Sequence, residues 1–181
     1  REYDEAARLL EADRLRAIPE MQLWRAVTSA ARGRPNDGAR DLLESVHILD
    51  NYPPELLSRL GPLAAEQALI VGNPEAGMDL IEKMLVAKGL GESKIKDVEY
   101  LKGIFEEEAG EFEQAVATWD EVAEGDNRKA RAHAIFDRTE LLMRLERLTL
   151  DDAIEQLEKL RFAWRGDGFE MALLRRLGEL Q

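Results

Sequence analysis

Cysteine is absent from the 181 residues, which removes disulfides, thiolate metal ligands and thiol nucleophiles together. Histidine is nearly absent: His47 and His133 stand far apart, and neither has an HxxE or HxxxH partner. A metal ligand or general base needs several groups converging, so each reads instead as a helix-surface or internally satisfied imidazole. No apolar run approaches the eighteen or more residues of a membrane span. Period-two alternation and β-branched clusters are scarce, so strands are not expected. GxSxG, GxxxxGK[ST] and GxGxxG are all missing, which leaves hydrolase, nucleotide and dinucleotide readings without support. Basic excess is lacking too. The net charge is −12, and residues 97–126 hold eleven acids against one base, Lys102. Phosphate binding needs a basic footprint, so nucleic acid is not an expected partner.

Helical periodicity fills the space these absences leave. Apolar stretches of ordinary helix length alternate with turn residues such as Tyr52-Pro53-Pro54, Gly72-Asn73-Pro74, Gly89-Leu90-Gly91 and Gly125-Asp126-Asn127. The expected fold class is all-α. A step of 38 residues aligns these segments: Ala39, Gly77, Ala115 and Ala153, then Leu43, Ile81, Trp119 and Leu157, then Val46, Met84, Val122 and Leu160. Offsets of 0, +4 and +7 share one helix face, so each copy offers one small and two larger apolar groups inward. Twelve residues before the small position stand Val27, Ala65, Gly103 and Leu141; five before it stand Arg34, Gly72, Gly110 and Leu148. Gly72 and Gly110 suit a left-handed turn that ends one helix before the next begins. Asp37, Pro74 and Asp151 stand near the starts of the second helices, where a cap or first-turn proline belongs.

Gly103, Gly110, Ala115, Trp119 and Val122, at these spacings, resemble the tetratricopeptide repeat, a helix–turn–helix unit of usually 34 residues. Sel1-like and other α-solenoids share the pattern. The resemblance implies a right-handed α-solenoid of about four helix pairs, with partial units at both ends, in a single domain over 1–181. The units fall at about 1–17 (partial), 18–52, 54–90, 93–126, 128–166 and 168–181 (partial). Gly61-Pro62, inside 54–71, is expected to break or kink one first helix.

The resemblance also implies that first helices line a concave face for a peptide or partner protein. By column, that face carries Trp24, Thr28, Arg32, Arg59, Glu66, Tyr100, Glu107, Glu108 and Arg138. Trp24 and Tyr100 read equally well as packing between units. Trp119 and Trp164 read as packing residues, Trp119 by its column. The acids at 106–108, 111 and 113 lack a calcium-loop pattern and read as a solvated helix face. Arg165-Gly166-Asp167 spells an integrin-type tripeptide, but three common residues at a helix end carry little information.

The function expected is a non-catalytic interaction scaffold for a basic or amphipathic partner, with no cofactor and no metal. The alternative is self-association. The chain begins on Arg1 and is read as a piece of a longer repeat protein with uncapped ends. Leu173, Leu174, Leu177 and Leu180 would then pair with another copy as a homodimer. The phrase at 160–167 resembles repeat arrays of exported bacterial proteins, which points to the cell envelope rather than the cytoplasm.

Overall fold

Three helices of the chain begin on a proline, and the reason is local. A first-turn proline has φ already set, and its missing N–H is one the helix could not have paired. The computed structural model describes residues 2–32, 34, 38–87, 89–164 and 168–180, excluding the side chains of Arg16 and Ala39. The expectations placed on Asp37, the Ala39 side chain and Arg165-Gly166-Asp167 lie outside the described residues. Among the described residues the structure is all-helical, without a strand.

The chain forms two compact units, Arg1–Leu90 and Gly91–Gln181. The first holds α1 (Glu2–Leu10), α2 (Asp13–Arg16), α3 (Pro19–Ala31) and α4 (Ala39–Glu44), which leads into a 3-10 turn at Val46–Asn51. It closes with α5 (Pro54–Ile70) and α6 (Pro74–Val86). The second holds α7 (Glu92–Glu108), α8 (Phe112–Ala123), α9 (Arg128–Arg144), α10 (Leu150–Leu160) and α11 (Phe169–Leu180). Helices consecutive in sequence pack together within each unit. Side-chain caps start three of them: Asn73 accepts from the Ala76 N–H, Asn127 from Ala130 and Thr149 from Asp152. Asp151 sits in the first turn of α10, beside the cap rather than serving as it.

The helix ends share one device. The Asn73 N–H reaches back to the Ala68 carbonyl, Glu111 to Glu106 and Arg147 to Leu142, each at 2.8 Å, and Arg34 reaches Ser29 at 3.1 Å. Before the Asn73, Glu111 and Arg147 donors stands a left-handed residue. Gly72 and Gly110 supply it with φ of +72° and +80°, as the turn pattern predicts. Before Arg147 it is Glu146, at φ +57°. The sequence register places Leu148 there; the turn between α9 and α10 is two residues longer, and Glu146 closes the helix. A left-handed non-glycine residue costs about 1–2 kcal/mol. Glu146 is exposed, so Glu146→Gly is expected to stabilise the chain by about 0.5–1 kcal/mol once glycine's extra unfolded-state entropy is counted. A thermal melt checks this, and an unchanged or lower midpoint counts against the strain.

The buried positions correct the register at the other end as well. Gly38, Gly77, Ala115 and Ala153 are buried, as are Leu42, Ile81, Trp119 and Leu157, and then Ser45, Met84, Val122 and Leu160. In the first unit the inward set is therefore Gly38, Leu42 and Ser45, one residue earlier than Ala39, Leu43 and Val46. The cause is close packing, because a Cβ on Gly38 would lie 2.8 Å from the Ala26 Cα. Ser45 tolerates burial by donating its hydroxyl to the Asp41 carbonyl at 2.6 Å. Seven residues before Gly72, Gly110 and Glu146 stand small buried groups, Ala65, Gly103 and Thr139, and Ala26 is buried in α3. Thr139, rather than Leu141, takes that place in α9. Leu141 joins Trp119 and Val122 in the core of the second unit.

The break expected at Pro62 does not occur, since α5 is continuous from Pro54 to Ile70. Gly61 eases it by removing the Cβ that a proline ring meets on the residue before it. Gly61 also admits Met84: a Cβ there would overlap the Met84 sulfur and lie 3.1 Å from its Cγ.

Candidate functional site

In the second unit, Tyr100 ties the core to the surface. Its carbonyl accepts the Trp119 indole N–H at 3.1 Å, and Trp119 is fully buried. Its ring and hydroxyl turn to α9. The hydroxyl donates to Asp137 Oδ2 at 2.6 Å, and the ring stands 5.5 Å from the imidazole of His133. His133 continues to Phe169 of α11 at 4.7 Å, and Phe169 meets Phe136 edge-on at 5.6 Å. These separations suit tilted aromatic pairs. His133 is thus half-buried among rings on a helix flank.

Charged pairs cross the same three helices. Arg144 of α9 donates to Glu107 of α7 at 2.6 Å and lies 5.9 Å from the Phe112 ring centroid. Arg176 of α11 presents its Nε to both oxygens of Glu140 on α9, at 2.8 and 2.9 Å. Asp137 stands apart from this pairing. Burial pushes its carboxyl up to about 6, the Tyr100 hydrogen bond pulls it back, and the charges of Glu107 and Glu140 add to the rise.

The three consecutive glutamates at 106–108 have three fates. Glu106 is buried, bonded to Lys102 at 2.8 Å and accepting from the Thr118 hydroxyl at 2.6 Å. Glu107 is half-buried against Arg144, and Glu108 is exposed. The reading of this run as a uniformly solvated face is therefore corrected at Glu106, where a lysine one turn earlier and a threonine across the hairpin satisfy the carboxylate. Arg138 points to the second helices, toward Asp120 of α8 and Gln156 of α10. It lies away from its neighbour Asp137.

The first unit holds the other expected residues. The Trp24 indole donates to the Tyr52 hydroxyl at 3.2 Å, and Tyr52 donates to Glu20. Burial, with Glu20 as its acceptor, raises the Tyr52 phenol above its ordinary range. Thr28 is buried, its hydroxyl on the Trp24 carbonyl at 2.7 Å. Arg32 pairs with Asp4 at 2.9 Å, and Arg59 and Glu66 are exposed on α5. Among the four leucines expected to meet another copy, Leu173 and Leu177 are buried in the cluster with Leu157, Leu160 and Phe169. Leu180 packs against that cluster, and only Leu174 is exposed, at 41%. Their spacing of four explains it: Leu173 and Leu177 share the face that α11 turns to α9 and α10.

Asp137, His133, Glu140, Arg144 and Arg176 were not expected at this site. The steps from 100 to 137, 107 to 144 and 140 to 176 are 37, 37 and 36 residues, close to the 38-residue step read along the sequence. That period is the signal that could have found them. Among the described residues no group of three or more metal-ligating side chains gathers, and no helix is long and apolar enough to cross a membrane. No protein-family model matches the chain, and neither a curated protein nor a solved structure is found to match it.

Proposed function

We propose that the chain is a non-catalytic protein-interaction scaffold, a right-handed α-solenoid of the tetratricopeptide kind with about four helix pairs. Its first-helix face receives a peptide or partner segment of basic or amphipathic character. The observation that carries this reading is the face formed by α7, α9 and α11. There aromatic rings, two arginine–glutamate pairs and Asp137 lie side by side on helices separated by one period. Aromatics and arginine are the side chains richest in binding energy at interfaces. The acid excess of 97–126 favours a basic partner and speeds its approach. The turn shared by four helix ends and the matching columns of buried small and large groups support the repeat reading.

The test is binding of basic, acidic and amphipathic peptides to the wild-type chain and to the Glu107→Lys, Glu108→Lys double variant. Basic peptides are expected to bind about tenfold more weakly to the variant, and the loss should shrink in high salt. Binding that is equal for both proteins would show that this acidic face is not the contact.

A further inference from the structure

Asp137 is a half-buried carboxylate with a hydroxyl for company and, among the described residues, no lysine or arginine paired with it. Tyr100 of α7 holds its Oδ2 at 2.6 Å. The ionic groups that act on it are Glu107 of α7 and Glu140 of α9, both of its own sign. The arginines that could have answered it are engaged elsewhere, Arg144 on Glu107 and Arg176 on Glu140. Among the described residues, no lysine or arginine forms an ion pair with Asp137. A buried charge is ordinarily paired, because desolvation without a counter-charge is costly. Beside it stand the rings of Tyr100 and His133, with Phe169 behind the imidazole. The face of a tyrosine ring attracts cations.

We propose that Asp137, flanked by Tyr100 and His133, is the socket for one cationic side chain of the partner, a lysine ammonium or an arginine guanidinium. The incoming group supplies the charge the fold withholds, donates an N–H to the carboxylate and lies against the Tyr100 ring. The flanking pairs Glu107–Arg144 and Glu140–Arg176 are already paired, so the acidity of the segment draws a basic partner in and Asp137 fixes where one cation lands. This rests on the scaffold reading and sharpens it, from a basic partner to one residue's landing point.

The probes are four short capped peptides, identical except for a central lysine, arginine, glutamate or glutamine. They are titrated into the wild-type chain and into Asp137→Asn while the ring resonances of Tyr100 and His133 are followed by NMR. Asparagine keeps the shape and an acceptor for Tyr100, so the variant tests charge and not folding. The lysine or arginine peptide is expected to shift both rings, to bind about tenfold more weakly to the variant, and to leave its neutral and acidic counterparts silent. Whichever of the two cationic peptides binds more tightly names the cation. Equal shifts with the glutamine peptide, or equal affinity for the variant, overturn the socket. So does a basic peptide that perturbs Glu107 and Arg144 but not the two rings, a result that leaves the scaffold reading standing. Absence of any shift with any peptide overturns both.

Discussion

Gly103→Ala is expected to destabilise the chain by about 2–3 kcal/mol, although alanine is the better helix former by about 1 kcal/mol. The cost comes from one neighbour. A Cβ on Gly103 would lie 2.6 Å from Cδ1 and 2.7 Å from Cε2 of Trp119. A flexible side chain would step aside, but Trp119 cannot. It is fully buried, packed with Ala115, Val122 and Leu141, and its N–H is spent on the Tyr100 carbonyl. The methyl therefore separates α7 from α8 or forces the indole off its hydrogen bond. Trp119→Ala should cost about 3–5 kcal/mol by leaving a cavity. The decisive result is the cycle. Gly103→Ala placed on Trp119→Leu should cost far less than on wild type, or turn favourable, because leucine vacates the space the methyl needs. Urea denaturation of the four proteins measures it, and additive costs would mean that the two residues do not meet as described.

This crossing was legible because it obeys a spacing rule, small and large groups on one helix face at a fixed period. Gly72 and Gly110 were legible for a similar reason, since glycine is the residue a left-handed helix end favours. Glu146 was not, because nothing in a glutamate announces a left-handed conformation; the last turn's extra two residues forced it. The one-residue slip at Gly38 escaped notice because Ala39 beside it is equally small, and because α4 gives way to a 3-10 turn after six residues. The site was half legible. Tyr100 and Glu107 both meet α9, while Thr28 is buried and Arg138 turns to α8 and α10. A carboxylate on a helix reads as solvated by default, which hides groups such as Glu106 and Asp137. Their environment comes from Thr118 and Tyr100, 12 and 37 residues away. Local pattern carries no trace of such partners.

Asp137→Asn should make the chain more stable near pH 7.5 and leave it unchanged near pH 3.5. Burial raises the folded-state carboxyl to about 6, while the unfolded chain keeps the ordinary value of 3.8. Between those two values the native state holds a proton that the unfolded state has lost, so stability falls as pH rises through that window. Below it the acid is neutral in both states and costs nothing; above about 6 the whole penalty is present. Two units correspond to at most about 3 kcal/mol, and a half-buried group should realise about 1–2 kcal/mol of it. Asparagine removes the charge and still accepts from Tyr100. The difference between the two stability curves therefore reads what the Asp137 charge costs the fold, its repulsion of Glu107 and Glu140 included. That difference should be near zero at pH 3.5, grow between 4 and 6, and stay level to pH 8. A flat difference, or a variant less stable at neutral pH, would mean that the carboxylate is welcome where it stands. A charge that weakens the fold at neutral pH, in the place where the aromatic face could hold a cation, is the pattern of a residue kept for binding at the expense of stability. The same substitution should therefore strengthen the fold and weaken the grip on a basic peptide, two opposite effects from one lost charge.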